Sequence, residues 1–421
     1  MSTVRSQIFS ISSLLLGMAM LLIGNSLQGT LLAVRAVDEQ FSQASIGIMA
    51  SGYFLGFVIG TLVTAHLIER AGHIRGFTAL ASLASAAALA HIIIIDPVAW
   101  TIFRALSGMC FAGIYMVIES WLNERATNET RGRVLAAYML VNLLSLTVGQ
   151  FLMVAGDPNG YVLFCLVSII VSLAIIPVSI TKTEAPTPQK PRPLPIRHLF
   201  QISPLGFVSC LAYGVAIGAW WALAPVFASK IDLDTDDVAL FMALSILGGG
   251  IMQWPIGRIS DRFDRRTVLT VTCFTSCALS VAVAIVGEFQ PTWLFATAIV
   301  FGAASFPIYA LSVSHANDYV EAEERVVVSG TLLLIYGAGA VIGPLIVGPL
   351  MQHYMPEALF YHIAVTFGCV GIYGLWRMTR RAAVPLEDQT AFVPAPNTTP
   401  LVMELDPESP PADEEEKDEA A

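Results

Sequence analysis

Charge is scarce in this chain. Charged side chains make up 13% of its 421 residues, where a soluble protein usually carries about 25%. Hydrophobic residues reach 55% and mean hydropathy is +0.69. Such a chain cannot cover itself with polar groups, so its solvent must be largely lipid. A basic excess is missing too: the net charge is -10, and no nucleic-acid footprint can be read from it. No Gly-x4-Gly-Lys-Ser/Thr cradle occurs, which excludes an ATP-driven pump. The six cysteines, Cys110, Cys165, Cys210, Cys273, Cys277 and Cys369, all lie in apolar runs without Cys-x-x-Cys spacing. Cys273 and Cys277 share a helix face but have no His or carboxylate beside them. They read as small packing residues, not as a disulfide framework or a metal site. No metal cluster or nucleophile–base set is legible, so neither an enzyme nor a cofactor is expected. A channel filter is also absent.

What is present is apolar length. A membrane helix needs about 20 mostly apolar residues, and twelve such stretches can be marked, from 8–34 to 357–379. The first follows Arg5 and runs from Ile8 to Val34, too long for a signal-peptide core, so it reads as a retained span. Turn chemistry separates the stretches, as in Asp96-Pro97, Asp157-Pro158-Asn159-Gly160 and Pro356-Glu357. The fold class is therefore all-α and membrane-embedded. Closed β-barrels, built from alternating strands of about ten residues, are excluded.

Charge placement sets orientation. With the N-terminus in the cytoplasm, 19 of the 22 Lys and Arg residues fall on that side. Only Arg35 and Lys230 lie outside, and Arg104 sits within the fourth stretch. The positive-inside bias then places both termini in the cytoplasm. From 382 to 421 there are eleven acids and one base, Lys417, so the tail holds the whole net charge. The predicted organisation is a six-helix bundle at 1–181 and a basic Pro-rich linker at 182–203, then a second bundle at 204–380. A disordered acidic tail at 381–421 follows.

The two halves repeat. Glu69-Arg70-Ala71-Gly72-His73-Ile74-Arg75 aligns with Asp261-Arg262-Phe263-Asp264-Arg265-Arg266 at an offset of 192. Asn123-Glu124 aligns with Asn317-Asp318, Arg131 with Arg325, Tyr115 with Tyr309 and Gly24 with Gly218, all at 194. A duplicated six-helix unit is the pattern of transporters whose halves face each other across a midplane site.

These residues resemble the major facilitator superfamily. Its signature loop reads Gly-x-x-x-Asp-Arg-x-Gly-Arg-Arg. The run from Gly257 to Arg266 follows it with Asp264 for the later Gly; the first copy has Ala65 for the first Gly and Glu69 for Asp. Glu124 with Arg131, and Asp318 with Arg325, resemble its acid-x6-Arg pairs, and Arg104-Ala105-Leu106-Ser107-Gly108 its Arg-x-x-Gln-Gly motif. Glu119-Ser120-Trp121-Leu122-Asn123-Glu124 is similar to a bacterial, YcaD-like branch. Gly339-x3-Gly343-Pro344 resembles a drug–proton antiporter motif, but in span eleven. Span five, where that motif belongs, carries Gly149-Gln150 without Pro. The resemblance implies a secondary-active transporter in the bacterial inner membrane, moving a small organic solute by alternating access. Protons are a candidate coupling ion, the lipid bilayer a partner, and a monomer the expected unit. A non-transporting receptor on the same scaffold is the competing class.

Roles follow from position. Glu69, Arg70, Arg75, Glu124 and Arg131 in the first half, with Asp261, Arg262, Arg266, Asp318 and Arg325 in the second, read as a cytoplasmic latch that breaks and re-forms. Arg104 is a cation inside a span, suited to an anionic substrate or to tuning a proton site. Glu119, roughly 22 Å further along the same helix, is the proton-coupling candidate. The implied fold lines its cavity with spans one, four, seven and ten. That selects Asn25, Gln28, Tyr115, Trp220, Trp221 and Tyr309, to which span five adds Asn142.

Overall fold

The computed structural model describes residues 2–127, 129–180, 194–287, 291–394 and 396–405. Twelve helices long and apolar enough to cross a membrane are present among them. In the first half they are Ser2–Asp38, Gln43–Ala71, His73–Ile93, Pro97–Arg125, Arg131–Phe151 and Val162–Leu173, the last continued by Ile175–Ile180. In the second they are Pro204–Lys230, Thr235–Ser260, Arg265–Gly287, Pro291–Ser305 with Ile308–Asn317, Arg325–His353 and Ala358–Met378. They are called spans one to twelve below.

Local chemistry sets the ends. Asp96 caps the fourth span, its carboxylate accepting from Val98 N at 2.9 Å and Ala99 N at 2.8 Å, with Pro97 in the first helical position. Asp234 caps the eighth by accepting from Asp237 N at 2.8 Å. Gly72, at φ +80°, turns the chain between spans two and three, a backbone that side chains with a Cβ rarely adopt. Span ten breaks at Phe306-Pro307, because Pro307 has no N–H to continue the ladder. Large apolar side chains such as Leu62, Ile251, Val365 and Ile372 are exposed around the waist, the surface a bilayer covers.

Within each half, glycines let helices touch backbone to backbone. A Cβ on Gly56 would lie 1.9 Å from the Ala105 carbonyl oxygen, and one on Gly108 2.0 Å from that of Tyr53. Spans eight and ten reproduce this: a Cβ on Gly248 would meet Ile299 O at 2.1 Å, and one on Gly302 would meet Ser245 O at 1.9 Å. The offsets are 192 and 194, those of the loop motifs. The Gly339 and Gly343 motif packs span eleven on span seven in the same way, against Leu211 and Val215 carbonyls.

Among the described residues, the even-to-odd loops and residues 382–394 and 396–405 share one face, which carries Arg70, Arg75, Arg131, Arg262, Arg265 and Arg266. On the opposite face the halves are sealed. Gly47 abuts the Pro344 carbonyl and Gly348 that of Gln43. Ser51 Oγ donates to Val341 O at 2.8 Å, and Ala44 N to Gln352 Oε1 at 3.3 Å.

On the basic face a stretch of tail lies between the halves. Residues 382–394 and 396–405 follow span twelve, with short 3-10 turns at Leu386–Asp388 and Pro400–Leu405. Val393, Val402, Met403 and Leu405 are buried there. Composition predicted a disordered tail from 381 onward. Its described residues up to 405 are instead seated, because the apolar side chains among them borrow the core of spans four, five and eleven, against which 400–405 pack. The acidic end, 406–421, lies outside the described residues, as does most of the predicted linker. Linker residues 196–202 form a short helix.

Candidate functional site: a central cavity and its basic-face vestibule

A cavity of about 160 Å³ opens between the halves at mid-depth. Spans one, two, four, five, seven and eleven wall it. Five residues selected from sequence line it: Asn25, Arg104, Tyr115, Asn142 and Trp221. Three do not. Gln28 is buried in span one away from the cavity, with Nε2 unpartnered. Trp220 is fully buried and packs edge-on to Trp221 and Phe306, because adjacent helix positions point about 100° apart and only Trp221 faces inward. Tyr309 joins a ring cluster with Tyr213 and Tyr336, and of these only Tyr336 lines the cavity. Tyr53, Tyr336 and Gln150 were missed from sequence. Spans two and eleven were not counted as lining, and Gln150 stood out only for lacking a following Pro.

One end of the cavity is polar and pre-arranged. Gln150 Nε2 donates to Ser26 Oγ at 2.8 Å, and Ser26 Oγ donates to Leu146 O at 2.7 Å. Thr30 Oγ1 donates to Gln150 Oε1 at 2.7 Å, and Asn25 Nδ2 to Tyr53 Oη at 3.1 Å. The Arg104 guanidinium lies over the Tyr53 ring at 4.1 Å. It is 9% exposed, and Nη1 is buried without a hydrogen-bond partner. Among the described residues no carboxylate pairs with it. A cation in a low-dielectric pocket is costly unless paired, and the ring gives only part of what an anion would supply. Trp221, stacked on Phe306, and Phe54 and Phe57 provide an apolar wall.

Behind Thr398, which lines the cavity, lies Glu119, fully buried. Its carboxylate accepts from Tyr138 Oη at 2.5 Å, from Thr398 Oγ1 at 2.6 Å and from Thr399 Oγ1. No cation pairs with it among the described residues. Its partners come from span five and the tail, 19 and about 280 residues away in sequence, which spacing on one helix does not reveal.

The latch residues reach the same face. Glu69, Arg70, Arg75, Glu124 and Arg262 are exposed there, and Arg131 is buried. The centre of the second-half cluster is Arg265, a residue sequence analysis passed over in favour of Arg266. Arg265 is 1% exposed and pairs with Asp318 at 2.6 Å and Asp261 at 3.2 Å. Arg266 turns instead to Asp264, at 2.8 Å. These pairs stay within the second half. Burial would raise the Asp264 carboxyl, but hydrogen bonds and charge from Arg266 hold it below the ordinary carboxylate value. Burial pushes Asp318 up, against Arg265 and Thr390.

A family model for the Major Facilitator Superfamily matches residues 14–312 and 205–402. The chain belongs to the major facilitator superfamily. It is 30% identical over 354 residues to the MFS-type transporter YcaD of Escherichia coli, covering 83% of this chain and 91% of that one. Its identity to YcaD of Escherichia fergusonii is 29% over 353 residues, with the same coverage. The crystal structure of the nucleoside transporter NupG superposes with a TM-score of 0.73 at 12% identity, covering 89% of this chain and 99% of that one. At that identity the likeness is one of fold. Membership makes the chain a multi-pass membrane protein of a transporter superfamily, with twelve helices as predicted.

Proposed function

We propose that the chain is a secondary-active transporter of a small organic anion. The observation that carries this reading is Arg104, a buried guanidinium in the cavity wall with no carboxylate partner among the described residues. Its neighbours Asn25, Asn142 and Tyr115 offer hydrogen bonds to the rest of a polar head. Trp221, Phe54 and Phe57 suit a flat or aliphatic body. A carboxylate or phosphonate on such a body would supply the charge that Tyr53 supplies only in part.

Movement would proceed by alternating access. The face sealed by spans two and eleven would open as the basic face closes, with the latch carboxylates re-pairing across the halves. The basic face is taken as cytoplasmic, since the sequence assigns 19 of its 22 Lys and Arg residues to the cytoplasmic side, and the membrane as the bacterial inner membrane. Glu119 is taken as the proton carrier. It is a buried carboxylate behind the cavity-lining Thr398, with hydroxyl donors and, among the described residues, no cation, so its protonation would change the charge beside the path.

Thermal unfolding of purified protein with a panel of organic acids and their neutral amides tests the substrate class. A ligand at 100 times its Kd stabilises the native state by about 2.7 kcal/mol. Acids should raise the Tm of the parent chain, amides should not, and Arg104→Gln should abolish the effect. Equal stabilisation by amides, or persistence in Arg104→Gln, would count against an anion at Arg104.

A further inference from the structure

We propose that the vestibule on the basic face is a peptide-docking surface whose resting occupant is the chain's own segment 390–405. The halves cannot close on that face until the segment leaves. This goes beyond the transport reading, since a carrier needs no such segment to cycle.

The segment touches both halves through groups that are otherwise costly to bury. In the second half, Thr390 N and Oγ1 donate to Asp318 Oδ1 at 3.1 and 3.0 Å, and Phe392 N donates to Asp261 Oδ1 at 2.8 Å. Arg265 Nη2 donates to Thr390 O at 2.6 Å. In the first half, Thr398 and Thr399 donate to Glu119, and Asn123 Nδ2 donates to Leu401 O at 2.6 Å. Thr398 and Thr399 are 7% and 2% exposed, so these bonds are formed out of water. Between the two anchors, the Phe392 ring presses on span eight at Gly257, where a Cβ would lie 2.3 Å from the ring.

Three consequences follow. Asp261 and Asp318 cannot serve the segment's backbone and a latch across the halves at once, so docking and closure compete for the same carboxylates. Asn397 and Thr398 line the central cavity, so the segment takes up part of the wall of the space that Arg104 also lines. At about 160 Å³ that cavity falls short of the 300 Å³ or more of ordinary small-molecule sites. Finally, the segment is tethered directly after span twelve. A short tether gives an effective concentration on the order of millimolar, enough to keep the dock filled by modest contacts. Pro394 and Pro396 lower the ordering entropy of the strap.

The test measures access to the cavity in detergent-purified protein. The six native cysteines are replaced and a single Asn142→Cys is introduced in the cavity wall. The reaction rate with a bulky maleimide is compared between the full chain and a chain ending at residue 389. The proposal expects labelling to be about tenfold or more faster in the shortened chain. A synthetic peptide of residues 390–405 should slow it again, and Thr398→Ala/Thr399→Ala in the full chain should speed it. If the shortened chain does not stay monodisperse, the double-alanine chain decides alone. Equal rates in the full chain and its variants would overturn the proposal, as would a shortened chain indifferent to the peptide.

Discussion

Arg265 carries the basic-face cluster, because it is the cation that the buried Asp318 carboxylate meets. Removing one partner of a buried pair leaves the other desolvated and unpaired, at a cost of about 3–5 kcal/mol. Arg265→Met should therefore lower the unfolding temperature clearly. Arg262→Met, at an exposed position on the same loop, should stay within about 0.5 kcal/mol; differential scanning fluorimetry on both variants checks this. Glu119→Gln should keep the Tyr138 contact and remove the charge. Solute exchange at equal pH should then persist while accumulation driven by a pH gradient disappears. Retained gradient-driven accumulation in that variant would make Glu119 structural. At this scale sequence found the charged residues but not their partners. Arg265 and Arg266 are indistinguishable as letters in the Asp264-Arg265-Arg266 run. Which of them turns inward is decided by the helix phase at the start of span nine.

The elements were legible where lipid imposes the pattern. Apolar runs of membrane length had to become helices, and turn dipeptides such as Asp96-Pro97 marked their starts. Helices run past the apolar limits at several ends, as span four does to Arg125, because a helix can protrude into water while hydropathy stops at the hydrocarbon edge. The helix pairing was not legible. It rests on glycines that meet backbone in spans two with four and eight with ten. Since the two contacts repeat, Gly56→Val and its counterpart Gly248→Val should destabilise alike, each by about 1–3 kcal/mol from overpacking. Gly29→Val, with nothing within 4 Å of a Cβ, should be near neutral. Unequal losses in the first pair would mean that the duplication no longer governs packing.

The whole molecule combines a duplicated scaffold, whose symmetry sequence offsets exposed, with a tail whose place they could not expose. The tail's composition is that of a solvated chain, and its docking depends on a vestibule that exists only once both halves have folded. Topology is open to a direct check. In intact cells an impermeant thiol reagent should label Tyr354→Cys, exposed on the sealed face, and should not reach Glu387→Cys on the basic face. The central claim is that the halves rock about the Arg104 cavity so that only one face is open at a time. Spin-label pairs across the halves, one pair at Ala44 and Gln352 on the sealed face and one at Glu124 and Arg325 on the basic face, report both openings at once. In the chain ending at residue 389, the account predicts two populations with opposite pairings: a short distance on the sealed face accompanies a long one on the basic face, and the reverse. A single fixed distance at both pairs, or two pairs that lengthen together, would contradict it.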